Sequence, residues 1–110
     1  MTDNKIDEIT VKELKYKLDN KENFELIDVR EPVELEICRI EGSINIQMID
    51  IISEEKKLDI NKEYVFHCRS GHRSYDVVEF LKNTGYKNVK NLKGGILEWI
   101  REIDPSMQSY

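Results

Sequence analysis

Apolar and polar positions alternate along the chain in blocks that have two different periods. Dense apolar runs are typical of buried parallel strands, whereas apolar residues spaced three and four apart are typical of helices. Strands are predicted at 6–9, 24–29, 44–46, 64–66 and 88–92. Helices are predicted to begin at Thr10, Pro32, Met48, Ser74 and Ile96. This alternation predicts one α/β domain over residues 1–110, with a parallel sheet of about five strands and helices on both faces.

The ends of the first and last predicted helices are marked by the sequence itself. Thr10 and Glu13 have the spacing of a capping box, and Ile9 and Leu14 stand at the positions of a hydrophobic staple. Pro105 follows the last apolar stripe and is expected to end that helix. These local signals support the assignment of helices at both ends of the chain.

Composition narrows the class of protein. A chain of 110 residues can bury a core without disulfide bonds, and its two cysteines do not suggest a disulfide framework. The net charge of −5 argues against a nucleic-acid partner. No apolar stretch has the length of a membrane span, and the first residues lack the apolar core of a signal peptide. We therefore expect a cytoplasmic protein that binds neither membranes nor nucleic acids.

The segment 67–73 concentrates the chemistry of the chain. It contains both histidines, two of the five arginines and one of the two cysteines. Cys68 follows the apolar run 64–66, a short polar loop with Gly71 comes next, and the helical pattern begins at Ser74. A curled loop can direct its backbone N–H groups inward, and a following helix adds the positive end of its dipole. Both effects favour a thiolate, so we predict that Cys68 is a nucleophile.

The length of the loop favours a small bound group. Cys68 and Arg73 are separated by four residues, whereas protein tyrosine phosphatases need five to surround a phosphate. A loop one residue shorter suits a smaller guest, such as one extra sulfur atom held as a persulfide. The residues predicted to bind the substrate are Arg69, Ser70, Gly71, His72 and Arg73.

The sequence predicts different roles for Arg73 and for the other basic residues of the loop. Arg73 stands near a helix N-terminus, where a cation opposes the dipole and needs an anionic partner. Arg69 and His72 either line the mouth and attract anionic donors or are simply exposed loop residues. The two cysteines and two histidines match no zinc spacing, so we predict neither a metal site nor a cofactor.

The pattern Cys-x-x-Gly-x-Arg-Ser, which begins at Cys68, resembles the active-site loop of the rhodanese family of sulfurtransferases. The stretches 28–31, 40–46 and 93–99 also resemble motifs of that family, so the resemblance covers nearly the whole chain. It implies that Cys68 takes a sulfane sulfur from thiosulfate or from a protein persulfide, such as that of a cysteine desulfurase. The cysteine would hold the sulfur as a persulfide, stabilised by the loop amides, and pass it to an acceptor.

The chain departs from the family motifs at three positions outside the loop. Arg39 replaces the usual histidine, while Glu41 and Gln47 replace prolines. These departures concern local turn geometry rather than the chemistry of the loop.

A narrower resemblance lies in the segments 34–39 and 103–110. Both are similar to the rhodanese domain that ends molybdopterin-synthase adenylyltransferases of the ubiquitin-activating type. That resemblance implies a ubiquitin-like sulfur carrier and an adenylating enzyme as partners. The chain has no adenylating domain, so it is either a free-standing relative or part of a longer protein.

Other interpretations of the same residues stay open. The domain could be a non-catalytic module that docks an anionic tail of a partner, or a phosphatase or arsenate reductase of the same fold, which the short loop disfavours. Cys38 is either a thiol that resolves the persulfide or a packed residue. Asp28 and Arg30 are either catalytic or structural, and we favour structural roles, with Asp28 as an acceptor of hydrogen bonds near a loop or helix start and Arg30 in an ion pair. His67 is expected to pack within its strand.

Overall fold

The computed structural model describes residues 7–110. Its strands are β1 (Glu8–Ile9), β2 (Glu25–Asp28), β3 (Ile44–Asn45), β4 (Tyr64–His67) and β5 (Val89–Leu92). Its α-helices are α1 (Val11–Asp19), α2 (Pro32–Leu35), α3 (Met48–Ser53), α4 (His72–Asn83) and α5 (Gly95–Glu102), and a 3-10 turn spans Glu55–Lys57. Within residues 7–110, no helix combines the length and the apolar character needed to cross a bilayer.

The five strands form one sheet in the order β1-β5-β4-β2-β3, and every pair is parallel. Side chains of successive strand residues point to opposite faces, and two apolar clusters result. On one face, Leu26 and Val65 pack with residues of α1 and α5. On the other face, Ile27 and Phe66 pack with residues of α3 and α4. The predicted α/β architecture, with five parallel strands and helices on both faces, is confirmed.

The capping box of α1 is confirmed. The N–H of Glu13 donates to the Thr10 Oγ1 at 3.1 Å, and the N–H of Thr10 donates to the Glu13 Oε1 at 2.8 Å. Two of the orphan donors at the helix start are thereby satisfied.

Several element bounds differ from the prediction. The predicted first strand began at Ile6, which lies outside the described residues, and β1 is Glu8–Ile9. β2 is one residue shorter at each end than predicted, and β4 is one residue longer. α4 begins at His72 rather than Ser74, because Gly71 takes a left-handed conformation with φ of 107° and turns the chain directly into the helix. The loop under α4 is therefore shorter than the sequence pattern indicated.

Candidate active site

Cys68 directly follows β4, the central strand of the sheet, and its side chain is buried, with 1% of the residue exposed. The N–H of Gly71 donates to the Cys68 Sγ at 3.1 Å, and the hydroxyl oxygen of Ser74 lies 3.4 Å from the same sulfur. The first turn of α4, which begins at His72, lies just beyond. A directed N–H and a helix N-terminus both stabilise negative charge at this position.

The first turn of α5 fixes the other side of the loop. The N–H of Ile96 donates to the carbonyl of Cys68 at 2.9 Å, and the N–H of Leu97 donates to the carbonyl of Arg69 at 3.1 Å. A Cβ on Gly95 would lie 2.5 Å from the Arg69 carbonyl oxygen, which only glycine avoids. The carbonyls of Cys68 and Arg69 are thus occupied by α5.

Asn91 of β5 anchors the loop from the sheet, and it is not among the site residues predicted from the sequence. The residue is 1% exposed, and its side-chain amide donates to the Glu8 carboxylate at 2.9 Å and to the Gly71 carbonyl at 3.3 Å. Those contacts leave its Oδ1 as an acceptor, 2.5 Å from the Ser74 hydroxyl. With a single hydrogen, that hydroxyl can donate either to Asn91 or to the sulfur of Cys68. Its polar side chain within a strand predicted to be buried is the one sequence feature that indicates a hydrogen-bonding role for Asn91.

The anionic partner expected for Arg73 is a carboxylate of the protein itself, that of Glu34. The two terminal nitrogens of Arg73 donate to the two carboxylate oxygens of Glu34 at 2.8 and 3.0 Å. The hydrogen bonds from Arg73 outweigh burial and lower the pKa of Glu34 to about 2. Glu34 in turn raises the pKa of Arg73. Arg73 therefore ties the start of α4 to α2, and its contact with substrate stays a prediction.

The remaining loop residues lie on the surface. Arg69, Ser70 and His72 are exposed, and the Ser70 Oγ lies 3.3 Å from the His72 Nδ1. They flank the buried sulfur along the chain, so their predicted contacts with substrate also stay predictions.

Asp28 and Arg30 form a buried ion pair where the chain leaves β2. The Nε and Nη2 of Arg30 donate to the Asp28 carboxylate at 2.9 and 2.7 Å, and neither side chain is exposed. Burial would raise the pKa of Asp28, but hydrogen bonds from Arg30 reverse the direction and lower it. The Nη2 of Arg30 also donates to the carbonyl of Cys38 at 2.8 Å. The structural roles predicted for Asp28 and Arg30 are confirmed.

Cys38 is buried on the opposite face of the sheet from Cys68. It packs in the cluster that contains residues of α1 and α5, whereas Cys68 packs in the cluster with residues of α3 and α4. Both thiols are free. This packing favours the second interpretation of Cys38, that of a packed residue.

His67 packs within β4, as expected. It is fully buried, and neither ring nitrogen has a hydrogen-bond partner among residues 7–110. Its Nε2 lies 3.7 Å from the Asp28 carboxylate, but burial dominates and lowers the pKa of His67 to about 4. The imidazole is therefore neutral at pH 7 and forms no ion pair with Asp28 there.

The sequence of this chain matches the model of the family described as "Rhodanese-like domain" over residues 10–102. The chain belongs to the rhodanese family. A rhodanese-related protein of Thermoplasma volcanium has a crystal structure that superposes with a TM-score of 0.78 and 35% identity, covering 88% of this chain and 93% of that one. The family identified from the loop motif in the sequence is thus confirmed.

The relatives of this rhodanese-family chain include proteins of similar length and longer proteins that match over only part of their length. YtwF of Bacillus subtilis is 43% identical over 91% of this chain and 96% of its own length. A protein of Allochromatium vinosum named "Sulfurtransferase" is 33% identical over 87% of this chain and 90% of its own length. The protein named "Adenylyltransferase and sulfurtransferase uba4" of Ogataea parapolymorpha is 36% identical over 77% of this chain, but the match spans 22% of that protein.

Proposed function

We propose that this protein is a sulfurtransferase whose nucleophile is Cys68. The observation that carries the proposal is the placement of the buried sulfur at the carboxyl edge of the sheet, with the Gly71 N–H directed at it from 3.1 Å. Ligand sites of parallel α/β sheets lie at that edge. Membership of the rhodanese family and the names of the relatives support the same activity.

The proposed reaction has two steps. The Cys68 thiolate attacks the outer sulfur of thiosulfate, a new Sγ–S bond forms, and the S–S bond of thiosulfate breaks as sulfite leaves with the electron pair. An acceptor nucleophile such as cyanide then attacks the outer sulfur of the persulfide and releases the thiolate of Cys68. Amides of the loop 69–73 hold the anionic outer sulfur between the steps. A covalent intermediate of this kind gives ping-pong kinetics.

Intact mass spectrometry after incubation with thiosulfate tests the proposal. We expect the protein to gain one sulfur atom, which cyanide or a reductant then removes, and peptide mapping to place that sulfur on Cys68. A module that only docks anionic tails would gain no sulfur. A phosphatase would instead hydrolyse a chromogenic phosphate ester, and robust hydrolysis would contradict the proposal.

The two loop arginines are expected to contribute differently to sulfur loading. Arg73→Ala should slow loading by roughly 10- to 100-fold, because it removes a charge-assisted pair with Glu34 that holds the loop to α2. Arg69→Ala should slow it by less than about 10-fold, and high salt should erase the difference from wild type, because exposed charges are screened.

The measurement is the rate of mass gain at low and high ionic strength. Glu34→Gln is the matched control, since it should reproduce most of the Arg73→Ala loss without removing a loop cation. Equal losses for the two arginine variants, with no salt dependence, would contradict this division of roles.

For the acceptor, we propose a ubiquitin-like sulfur carrier activated by a separate adenylating enzyme. The shared stretch with uba4, whose name joins both activities, supports this finer assignment. A carboxylate is a poor electrophile, whereas an acyl-adenylate has AMP as a leaving group. The outer sulfur of the Cys68 persulfide can attack the activated carbon and displace AMP, which leaves an acyl disulfide between Cys68 and the carrier. Two thiols of an external reductant then reduce this acyl disulfide to a thiocarboxylate and the free Cys68 thiolate, and are themselves oxidised to a disulfide.

The carrier should be converted only when the adenylating enzyme, ATP and a thiol reductant are all present. The reductant is expected to be essential because Cys38, the only other thiol of the chain, packs on the opposite face of the sheet. The measurement is the mass of a carrier ending in Gly-Gly. If the carrier stays unmodified while the protein rapidly transfers sulfur from thiosulfate to cyanide, the carrier is not the acceptor. The proposed sulfurtransferase activity would still hold.

A cytoplasmic location belongs to the same proposal. The reaction needs Cys68 as a thiolate, and reducing compartments keep free thiols from being oxidised. A donor such as the persulfide of a cysteine desulfurase would meet the protein there.

A further inference from the structure

The two arginines of the active-site loop are held in different ways. Arg73 uses both terminal nitrogens on the Glu34 carboxylate. The guanidinium of Arg69 lies over the ring of Tyr110, 4.8 Å from its centroid, and makes no hydrogen bond to another side chain or backbone group of residues 7–110. A cation over an aromatic face is held by the ring and keeps its N–H edges free. The ring therefore favours one placement of the Arg69 guanidinium while its donors stay available.

Tyr110 is itself anchored by groups that are already rigid. Its hydroxyl accepts a hydrogen bond from the Nη1 of Arg30, whose other nitrogens pair with Asp28 in the core. The same hydroxyl donates to the Glu34 Oε1 at 2.9 Å. Burial raises the pKa of Tyr110, so the hydroxyl keeps its proton at neutral pH. These two hydrogen bonds position the ring beside the loop.

Both ends of Arg69 are thus restrained. Its carbonyl accepts from the N–H of Leu97 in α5, and its guanidinium rests on the Tyr110 ring. Between these two restraints lies a long side chain that would otherwise lose much conformational entropy on binding an anion. Tyr110 lies outside residues 10–102, the segment that matches the family model, so family membership assigns it no role.

We propose that Tyr110 is a positioning residue for the sulfur donor site. It holds Arg69 beside the entrance to Cys68 with its N–H edges free for the anionic end of a donor. The proposal rests on the sulfur-transfer function proposed above. It predicts a contribution to the capture of anions and none to the bond changes at sulfur.

Two substitutions separate the ring from the hydroxyl. Tyr110→Phe and Tyr110→Leu both lose the hydrogen bonds to Arg30 and Glu34, so the difference between them isolates the ring under Arg69. In transfer from thiosulfate to cyanide, we expect Tyr110→Leu to raise the KM for thiosulfate by about 3- to 10-fold, with kcat unchanged, a size typical of a cation–aromatic contact. Tyr110→Phe should raise it by less than Tyr110→Leu does, because the ring is still present for Arg69 although its anchor at the hydroxyl is lost.

The effect should depend on Arg69. In an Arg69→Ala background, Tyr110→Leu is expected to change the KM for thiosulfate no further, because the ring then has no loop arginine to hold; Arg30, whose guanidinium carbon lies 5.9 Å from the ring centroid, stays paired with Asp28. A merely structural role for Tyr110 would lower kcat or stability equally in both backgrounds. The proposal would be overturned if the effects of the two substitutions on KM were additive. It would also be overturned if Tyr110→Leu left the KM for thiosulfate unchanged, or if it lowered that KM, which would mean that the ring obstructs the donor.

A second measurement separates this proposal from the proposed function. Sulfate cannot donate sulfur, so its protection of Cys68 against alkylation by iodoacetamide reports anion binding without transfer. We expect the protection constant to weaken by the same 3- to 10-fold in Tyr110→Leu and to weaken less in Tyr110→Phe. If thiosulfate loads no sulfur but this pattern holds, the sulfur-transfer function fails and the positioning role stands. If sulfate protects wild type no better than Arg69→Ala, the positioning role fails.

Discussion

Replacing Cys68 by serine is expected to abolish sulfur loading while leaving the fold intact. A serine hydroxyl can accept the Gly71 N–H in place of the sulfur, and the site is buried and closely packed, so the nearly isosteric change keeps the loop. A serine has no sulfur atom with which to form a persulfide. Loss of a nucleophile of this kind typically lowers turnover by about 10⁴-fold or more. The measurements are the intact mass after thiosulfate treatment and the rate of thiocyanate formation.

Cys38→Ser is the matched control for that experiment. Both cysteines are buried and free, but Cys38 packs on the other face of the sheet, away from the loop amides. We therefore expect Cys38→Ser to gain one sulfur atom as wild type does. Sulfur that appears on Cys38 and not on Cys68 would contradict the mechanism.

The sequence was sufficient to predict those residues of the candidate site that lie close together in the chain. Cys68, Gly71 and Ser74 lie within seven residues, and a strand pattern, a glycine and a helix pattern define how they meet. The fold class was predictable for the same reason, because each strand and helix has its own apolar period. The error at the start of α4 arose because a left-handed Gly71 leads straight into the helix, which the apolar period alone does not report.

The features of the site that could not be predicted from the sequence are contacts between elements that lie far apart in the chain. Glu34 reaches Arg73 from α2, Asn91 reaches Ser74 from β5, and Tyr110 reaches Arg69 from beyond α5. No spacing rule connects such residues, because only the order of the strands brings their ends together. The charge of Glu34 and the polarity of Asn91 are visible in the sequence, but their partners are not.

Strand order also explains how the loop is held in place. β4 lies between β2 and β5, so the chain leaving β4 at Cys68 is flanked by the segments that follow its two neighbours. The segment after β2 carries Arg30 and leads to Glu34, and the segment after β5 leads into α5, whose amides bind the loop carbonyls. A parallel sheet thereby supports a small loop through the segments that follow both neighbouring strands.

The buried pair of Asp28 and Arg30 is expected to have the largest effect on stability. Asp28→Asn preserves the shape of the side chain but leaves the guanidinium of Arg30 in the core without a carboxylate. Breaking one partner of a buried ion pair typically costs about 3–5 kcal/mol, a large share of a total stability of about 5–15 kcal/mol. The measurement is the free energy of unfolding from urea denaturation at pH 7. Because the pKa of Asp28 is lowered on folding, its contribution is fully present above its unfolded pKa and is lost at more acidic pH.

Asp19→Asn provides the comparison for Asp28→Asn, because it makes the same chemical change at an exposed ion pair. Asp19 accepts from Lys15 at 2.7 Å on the surface of α1, where water screens both charges. We expect this variant to change the free energy of unfolding by less than about 0.5 kcal/mol. If Asp28→Asn costs no more than Asp19→Asn, the buried pair does not hold the chain where it leaves β2. The anchoring of Tyr110 through Arg30 would then lose its structural basis, since the hydroxyl of Tyr110 relies on that fixed guanidinium.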